Sequence, residues 1–85
     1  MTTWLVVEDE EDIRNFVKMM FTAWGREPLE FKNGHEAWAW LDELDAGTFG
    51  GNLPDLALMD IRMPGHKGFE IAQRMRTVEA TRGIP

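Results

Sequence analysis

The sequence predicts an α/β protein built on a parallel β-sheet, because strand-like and helix-like segments alternate along its 85 residues. Two short apolar runs, at residues 4–7 and 56–59, are typical of strands that are covered on both faces of a sheet. Apolar residues at helical spacing follow each run. This order of elements favours parallel strands joined by right-handed helical crossovers.

The first half of the chain predicts two strand–helix units. After the strand at 4–7, an apolar helical pattern begins at Ile13, and Gly25 is well placed to end that helix. Residues 28–31 suggest a second strand that begins at its proline or lies at an edge, and Asn33 is suited to cap the next helix. The predicted apolar faces of the two helices are Ile13, Phe16, Val17, Met20 and Trp24, and then Ala37, Trp40, Leu41 and Leu44.

The second half of the chain predicts one further strand–helix unit. Residues 45–54 are rich in glycine and indicate a loop. The strand at 56–59 ends at Asp60, and the Pro- and Gly-containing segment 62–68 indicates another loop. A third helix is predicted from Phe69, Ala72, Met75 and Val78, and residues 81–85 are expected to form a tail.

Composition and charge narrow the classes of function. The chain is large enough for one domain, and its 44% hydrophobic and 28% charged residues are typical of a globular protein. A formal net charge of −6 and scattered basic residues argue against a direct nucleic-acid partner. The sequence has no cysteine, its apolar stretches are too short to span a membrane, and its N-terminus does not resemble a signal peptide. We therefore expect a cytoplasmic protein without a membrane partner or a thiolate metal site.

Carboxylates follow both of the apolar strands. Glu8 and Asp9 come directly after the first strand, and Asp60 comes directly after the strand at 56–59. The carboxyl ends of parallel strands meet at one edge of a sheet, where doubly wound proteins form their binding sites. Three carboxylates in one crevice would repel one another and raise at least one pKa, unless a cation is bound. Mg²⁺ suits such a site because it prefers oxygen ligands, and a carboxylate beside it can accept a phosphoryl group.

A purely structural interpretation of these acids is also open. Asp9 or Glu10 could cap the first helix, and Glu11 and Asp12 suit the positive end of its dipole. Asp60 could be an ordinary turn residue, and the proline and glycines after it could serve only to shape a turn. Each signal is weak when taken alone, so the functional interpretation depends on their combination.

The combination resembles the receiver domains of two-component response regulators. The segments that carry the resemblance are Leu5-Val6-Val7-Glu8-Asp9-Glu10 and Pro54-Asp55-Leu56-Ala57-Leu58-Met59-Asp60-Ile61-Arg62-Met63-Pro64-Gly65, with Gly68 after them. The resemblance covers residues 1–85 in register, and residues 81–85 look like the approach to the family's fourth strand. It implies a flavodoxin-like doubly wound parallel sheet of strand order 2-1-3, in which the first three β-α units are present and the fourth and fifth are absent.

The same resemblance implies a role for each matching residue. Asp60 would be the phosphoacceptor, and Glu8 and Asp9 would arrange Mg²⁺ together with it. The backbone carbonyl of Arg62 would complete the metal shell, and Pro64 would shape the loop beside the site. The donor would be a phosphohistidine on a sensor histidine kinase or a histidine phosphotransfer protein. The implied function is a phosphoacceptor signalling domain and not a conventional enzyme.

The chain departs from the family pattern where it stops. The family's Ser or Thr after the fourth strand and Lys after the fifth have no counterpart in the 85 residues, which puts the conformational switch in doubt. The third strand would also have an exposed edge, so we expect either a homodimer or domain-swapped assembly of this chain, or that the chain is a fragment of a longer protein. One alternative function is a receiver-derived dimerisation or interaction fragment without phosphotransfer. Another is a phosphohydrolase that forms a phospho-aspartate, but that chemistry usually places a second acid where Arg62 stands.

Overall fold

The computed structural model describes residues 2–60 and 68–85 of the chain. The elements of these residues are β1 (Thr3–Val7), α1 (Glu11–Ala23), β2 (Glu27–Phe31), α2 (Gly34–Ala46), β3 (Leu56–Met59) and α3 (Gly68–Met75). The strands are all parallel and are hydrogen-bonded in the order β2-β1-β3. The α/β class predicted from the sequence and the 2-1-3 strand order implied by the family resemblance are therefore confirmed.

The central strand β1 pairs with a parallel neighbour on each side. Leu5 lies opposite Leu29 in β2 and opposite Ala57 in β3. Side chains alternate along a strand, so Leu5 and Val7 face the core formed with α2 and α3, while Val6 faces α1. The helices thus cover both faces of the sheet. The connection through α1 leads from β1 to β2 on one side of it, and the connection through α2 leads from β2 to β3 on the other side of β1. The topological switch point of the sheet therefore lies between β1 and β3.

The larger hydrophobic core lies between the sheet and the pair α2–α3. Trp40 is its largest side chain, and its ring packs against Phe31 and Phe49 with centroids 5.6 and 6.1 Å apart. The buried members of this core are Leu5, Val7, Ala37, Trp40, Leu41, Ile71, Met75, Val78 and Ile84. Burial of apolar surface contributes roughly 25 cal/mol per Å², so this core is the main force that holds the two helices on the sheet.

A smaller core lies beneath α1 on the other face of the sheet. Val6 packs there with Val17 and Phe21. Trp4 meets Phe21 edge to face, at a centroid distance of 5.2 Å. These contacts hold α1 over β1 and place its N-terminus at the edge of the sheet where β1 ends.

The apolar face predicted for α1 is only partly buried. Val17 lies against the sheet as predicted, but Ile13, Phe16 and Trp24 are exposed. The reason is that α1 lies over β1 and β2, so only one side of the helix meets the sheet. Leu58 of β3 lies on the same face of the sheet as Val6 of β1, and it is also exposed. This face therefore presents apolar side chains of both α1 and β3 to solvent.

Two residues predicted to bound helices have the expected local geometry. Gly25 follows α1 with a φ of 75°, a left-handed conformation that glycine adopts without steric cost. Asn33 caps α2, because its Oδ1 accepts a hydrogen bond from the N–H of Glu36 at 2.9 Å. Glu36 in turn accepts a hydrogen bond from the N–H of Lys32 at 2.9 Å. Both predicted helix boundaries are confirmed.

The buried side chains of α3 and the turn after it include Met75 and Val78 as predicted, but Ile71 takes the place of Phe69 and Ala72. Ile71 and Met75 are buried, whereas Phe69 is exposed and Ala72 faces solvent with it. The spacing from Ile71 through Met75 to Val78 is as helical as the spacing that begins at Phe69. Periodicity alone therefore could not choose between the two faces, and packing against α2 and the sheet decides it.

Residues 81–85, which were expected to form a tail, are packed as part of a turn that spans residues 76–85. Thr81 is fully buried, and its hydroxyl donates to the carbonyl of the last residue of α3 at 2.7 Å. Arg76 donates from Nη1 to the carbonyl of Ile84 at 2.6 Å. These contacts bring Pro85 beside β3, where its carbonyl accepts a hydrogen bond from the N–H of Ala57 at 3.1 Å.

The helices are short. The helices α1 and α2 have 13 residues each, and α3 has 8. Across residues 2–60 and 68–85, no helix combines the length and the apolar character needed to cross a membrane.

Candidate functional site

The candidate site begins where β1 and β3 end at the same edge of the sheet. The N–H of Asp60 donates to the carbonyl of Val7 at 3.0 Å, so the residue after β3 is hydrogen-bonded to the end of β1. On the other side of β1, the N–H of Glu8 donates to the carbonyl of Phe31 at 3.2 Å. Each of these two acids is thus held by the last hydrogen bond of a parallel ladder.

The structure brings together the three carboxylates that the sequence singled out. Glu8, Asp9 and Asp60 each offer one oxygen, and those oxygens all lie within 4.8 Å of one another. Glu8 and Asp60 are half-buried, and Asp9 is exposed. Oxygen ligands bind Mg²⁺ or Ca²⁺ at about 2.0–2.6 Å, so oxygens on opposite sides of an ion are about 4–5 Å apart. The three carboxylate oxygens and the distances between them therefore fit a hard divalent cation.

The pKa of the Glu8 carboxyl is raised above its ordinary value. Partial burial is the largest cause, and the nearby carboxylates of Asp60, Asp9 and Glu10 raise the pKa further. The N–H of Glu10 donates to Glu8 Oε1 at 3.3 Å and opposes the shift. The sequence predicted a raised pKa from repulsion alone, whereas desolvation is the larger cause. A bound cation would offset both effects.

Helix capping accounts for only some of the acids in this segment. Glu11 and Asp12 lie in the first turn of α1, where they suit the helix dipole as the structural interpretation expects. Glu10 is the N-cap residue, but its side chain makes no capping hydrogen bond. Glu8 and Asp9 precede the helix and belong to the carboxylate cluster. Their position therefore needs an explanation other than the start of α1.

A basic residue that the sequence analysis did not single out also contacts the site. Arg14 on α1 donates from Nη1 to the backbone carbonyl of Glu8 at 3.0 Å. Its Nε lies 3.4 Å from Oε2 of Glu30 in β2, and its side chain is only 14% exposed. The sequence could have indicated this contact only through the position of Arg14, which follows the acidic first turn of a helix. A basic residue at such a position usually lies in solvent, so its contact with Glu8 was not predicted.

Some residues implied by the resemblance lie outside the described part of the chain. These are Arg62, whose backbone carbonyl was expected to bind the metal, and Pro64, which was expected to shape the neighbouring loop. Both roles remain predictions. Gly68 is the first residue of α3 and is buried. Within residues 2–60 and 68–85, the site therefore consists of the three carboxylates and the backbone that carries them.

A comparison with known protein families identifies the class to which this fold and site belong. Residues 4–84 match the response regulator receiver domain. The chain therefore belongs to the response regulator receiver family, whose members are signalling domains of two-component systems. The resemblance seen in the sequence is confirmed.

Individual relatives agree with this assignment. The chain is 35% identical over 83 residues to the phosphate regulon transcriptional regulatory protein PhoB of Pseudomonas aeruginosa, which covers 98% of this chain and 33% of that protein. It is 35% identical to the response regulator protein TrrA of Thermotoga maritima in complex with Mg²⁺ and BeF, with a TM-score of 0.76 over 93% of this chain and 62% of that one. A chain in the complex of TrrA with the histidine kinase ThkA is 38% identical, with a TM-score of 0.70 over 91% of this chain and 60% of that one. The chain thus spans less than two thirds of the length of each of these relatives.

Proposed function

We propose that this chain is a phosphoacceptor receiver domain in which Asp60 takes a phosphoryl group from a phosphohistidine donor. The observation that carries the proposal is the cluster of Glu8, Asp9 and Asp60 at the switch point of the sheet, in a chain of the receiver family. Asp60 is half-buried, and the hydrogen bond from its N–H to Val7 fixes its position after β3. Glu8 and Asp9 lie beside it and can hold a cation together with it. Residues 1–85 would then comprise the first three β-α units of such a domain.

The transfer needs a carboxylate nucleophile and a leaving nitrogen. An oxygen of Asp60 attacks phosphorus, the bond from phosphorus to the donor nitrogen breaks, and its electron pair stays on that nitrogen. The donor leaves as a neutral imidazole when its other nitrogen carries a proton, and Asp60 becomes an acyl phosphate. The phosphoryl oxygens bring negative charge towards Glu8 and Asp9, so the transfer is opposed by repulsion unless that charge is neutralised.

We assign Mg²⁺ binding to the side chains of Glu8, Asp9 and Asp60, with the backbone carbonyl of Arg62 as a further oxygen ligand. Bound Mg²⁺ would neutralise charge on the carboxylates and on the phosphoryl oxygens. The raised pKa of Glu8 supports this assignment, because a cluster that is costly to ionise alone gains the most from a cation. The relative TrrA, solved with Mg²⁺ and BeF, supports it independently.

A sensor histidine kinase or a histidine phosphotransfer protein would supply the phosphoryl group. The solved complex of TrrA with the histidine kinase ThkA supports this class of partner. The proposed reaction is one transfer to the chain's own side chain, with no separate substrate that is turned over. The chain would therefore act as a signalling domain and not as a conventional enzyme.

Phosphoryl uptake from acetyl phosphate, followed by intact mass, tests the proposal. The protein is incubated with acetyl phosphate in the presence of Mg²⁺ and, in parallel, in the presence of EDTA. We expect the mass of one phosphoryl group to be added with Mg²⁺ and to be absent with EDTA, because the metal offsets the repulsion described above.

Two Asp-to-Asn variants separate the acceptor from other acids of the chain. Asp60→Asn removes the proposed acceptor. Asp55→Asn changes an exposed aspartate at the opposite end of β3, where its N–H is bonded to the carbonyl of Thr3. Loss of uptake in Asp60→Asn, with normal uptake in Asp55→Asn, supports the proposal. Undiminished uptake by Asp60→Asn contradicts it.

The edge strand β3, whose Ala57 N–H is bonded to the carbonyl of Pro85, still presents apolar surface that favours a second copy of the chain as a further partner. Leu58 of β3 is exposed on the α1 face of the sheet, and an apolar cavity of about 330 Å³ lies on the opposite face, lined by Ala57, Met59, Ala72 and Pro85. The opposite edge is β2, where Pro28 has no N–H to offer a new strand. We infer a homodimer or domain-swapped pair formed through the β3 side. This association would also be the function of an interaction fragment that takes no phosphoryl group.

Sedimentation analysis over a range of concentrations tests this association. We expect a dimer for the parent chain and a shift to monomer for Leu58→Glu, which places a charge on the exposed face of β3. Leu53→Glu is the matched control, because Leu53 is similarly exposed but lies in the loop before β3. A compact monomer at all concentrations would contradict the inferred dimer.

A further inference from the structure

We propose that Arg14 is a positioning residue for the metal site: it fixes the backbone of Glu8, and Glu30 fixes Arg14. The inference rests on the proposed function, because it concerns the binding of Mg²⁺ by Glu8, Asp9 and Asp60. It extends the site to two residues, on α1 and β2, that contribute no ligand to the cation.

The turn between β1 and α1 needs such support. Glu8 is held by the sheet through its N–H, which donates to the carbonyl of Phe31 at 3.2 Å. Beyond Glu8 the chain turns through Asp9 and Glu10, which are both exposed. Repulsion between these neighbouring acids favours an opened turn, in which their carboxylates would be farther apart. A contact that fixes the turn therefore also fixes the ligand geometry.

Arg14 makes this contact with a backbone atom and not with a ligand oxygen. Its Nη1 donates to the Glu8 carbonyl at 3.0 Å, one residue before the exposed part of the turn. Because this hydrogen bond uses only the carbonyl, Arg14 does not compete with a cation for the carboxylate oxygens of Glu8, of which Oε1 accepts the N–H of Glu10. Residues that orient ligands through such outer contacts are a general feature of metal sites.

Glu30 holds the other side of the guanidinium group. Its Oε2 lies 3.4 Å from Arg14 Nε and 3.1 Å from Lys18 Nζ. The side chain of Arg14 is more buried than that of Lys18, so its ion pair is less screened by solvent. Glu30 also balances the charge of Arg14, which alone would oppose a cation at the neighbouring cluster.

Removal of Arg14 has two possible effects on Mg²⁺ binding, and they have opposite signs. If Arg14 acts only as a nearby positive charge, its loss strengthens binding, because repulsion of the cation is relieved. If Arg14 positions Glu8, its loss weakens binding, and outer contacts of this kind typically change metal affinity by about 10–100-fold. The direction of the change therefore identifies the role.

The experiment measures the Kd for Mg²⁺ by titration calorimetry in the parent, Arg14→Met and Lys18→Met. Both variants replace a basic partner of Glu30 by an uncharged side chain with a similar stem, but only Arg14→Met removes the hydrogen bond to Glu8. We expect the Kd to rise about 10-fold or more in Arg14→Met. In Lys18→Met it should stay within about 2-fold of the parent, because Lys18 is more open to solvent than Arg14 and makes no hydrogen bond to Glu8. An unchanged or lower Kd in Arg14→Met, or an equal rise in both variants, overturns the proposal.

Arg14→Lys keeps the proposal testable if Arg14→Met does not fold. Lysine retains the charge and the stem, but it lacks the planar fork that reaches the Glu8 carbonyl and Glu30 together. Urea unfolding without Mg²⁺ establishes that this variant is folded. A folded Arg14→Lys protein with a raised Kd supports positioning, and one with the Kd of the parent overturns it.

A ligand variant distinguishes failure of this inference from failure of the proposed function. Glu8→Gln removes a ligand carboxylate, so it should abolish or strongly weaken Mg²⁺ binding whatever Arg14 does. If Glu8→Gln loses binding while Arg14→Met keeps it, the metal site stands and the role of Arg14 is wrong. If the parent itself binds no Mg²⁺ in the millimolar range, the metal site is wrong and the inference about Arg14 is overturned with it.

Discussion

The N–H of Asp60 donates to the carbonyl of Val7 at 3.0 Å, and this hydrogen bond joins the two strand ends that carry the candidate site. It aligns Asp60, which follows β3, with Val7, which directly precedes Glu8. The separation of the Asp60 and Glu8 carboxylates is therefore set by the register of two parallel strands. Asp9 lies in an exposed turn and depends on other contacts for its position.

Mg²⁺ binding should weaken as the pH is lowered. Glu8 has a raised pKa, so it is protonated at a higher pH than an ordinary glutamate, and a protonated carboxyl is a poor metal ligand. Calorimetric titrations at about pH 7.5 and about pH 5 should give a higher Kd at the lower value. The pH dependence of any residual binding in Glu8→Gln should be smaller. A Kd of the parent that does not change with pH would count against Glu8 as a ligand.

Glu8→Gln should make the protein more stable at neutral pH when Mg²⁺ is absent. Because the pKa of Glu8 is raised, the folded protein holds the proton of Glu8 at pH values where the unfolded chain has lost it. The free energy of unfolding therefore falls as the pH rises from the ordinary pKa of 4.5 through the raised pKa of the folded state. Above that interval the ionised side chain lowers stability, and a neutral glutamine removes this cost. Urea denaturation should therefore show a higher midpoint for the variant at neutral pH and little difference near about pH 4.

Glu11→Gln is the control for this stability change. Glu11 lies in the first turn of α1, where a negative charge is favourable, so its replacement should not raise the midpoint. An equal increase in Glu11→Gln and Glu8→Gln would point to the net charge of the chain and not to the local environment of Glu8. A lower midpoint for Glu8→Gln would contradict the cause given for its raised pKa.

Arg74→Met should destabilise the contact between α2 and α3. The Arg74 guanidinium lies 4.4 Å from the ring centroid of Trp38, donates to the Trp38 carbonyl at 3.2 Å and lies 2.7 Å from Asp42 Oδ1. Its side chain is 14% exposed, so these contacts are only partly screened. We expect a loss of about 1–2 kcal/mol in the free energy of unfolding. Arg82→Met, whose ion pair is exposed, should change it by less than about 0.5 kcal/mol, and equal losses would contradict the role of Arg74.

Replacement of Trp40 should abolish folding, whereas replacement of Trp24 should be tolerated. Trp40 is 2% exposed at the centre of the larger core, and a buried tryptophan replaced by alanine typically costs about 3–5 kcal/mol. Trp24 is 60% exposed and makes one edge contact with Trp4, so Trp24→Ala should cost about 1 kcal/mol or less. Circular dichroism and urea unfolding measure both. A folded Trp40→Ala protein of nearly parental stability would show that the larger core is not the main source of stability.

The residues themselves were sufficient to predict the parallel strand–helix units and the place of the acids, whereas the strand order 2-1-3 came from the resemblance to the receiver family. The apolar runs at 4–7 and 56–59 became β1 and β3, and Asn33 and Gly25 bound the helices as expected. Parallel strands end at a common edge, so the nearness of Glu8 and Asp60 followed from a general rule. The strands and helix boundaries depend on local composition, and the common edge follows from the general rule for parallel strands.

The remaining features depend on which surfaces meet, and periodicity does not determine that. Phe16 has the spacing of a buried residue, yet it is exposed, because α1 meets the sheet with the side that carries Val17 and Phe21. Ile71 is fully buried although α3 was predicted from Phe69 and Ala72, because helical spacing to Met75 and Val78 accommodates either set. The contact of Arg14 with the Glu8 carbonyl joins residues whose relation exists only after α1 has docked on β1. The main cause of the Glu8 pKa shift is burial, which likewise follows from packing.

The most direct test of the central claim is to locate the phosphoryl group on the chain. After incubation with acetyl phosphate and Mg²⁺, borohydride reduction converts an aspartyl phosphate into a stable alcohol, and peptide mass spectrometry identifies the residue that was reduced. The proposed function predicts reduction at Asp60 alone, dependent on Mg²⁺. Reduction at Glu8, Asp9 or Asp55 with Asp60 unmodified, or no reduced residue at all, would contradict the assignment of Asp60 as phosphoacceptor.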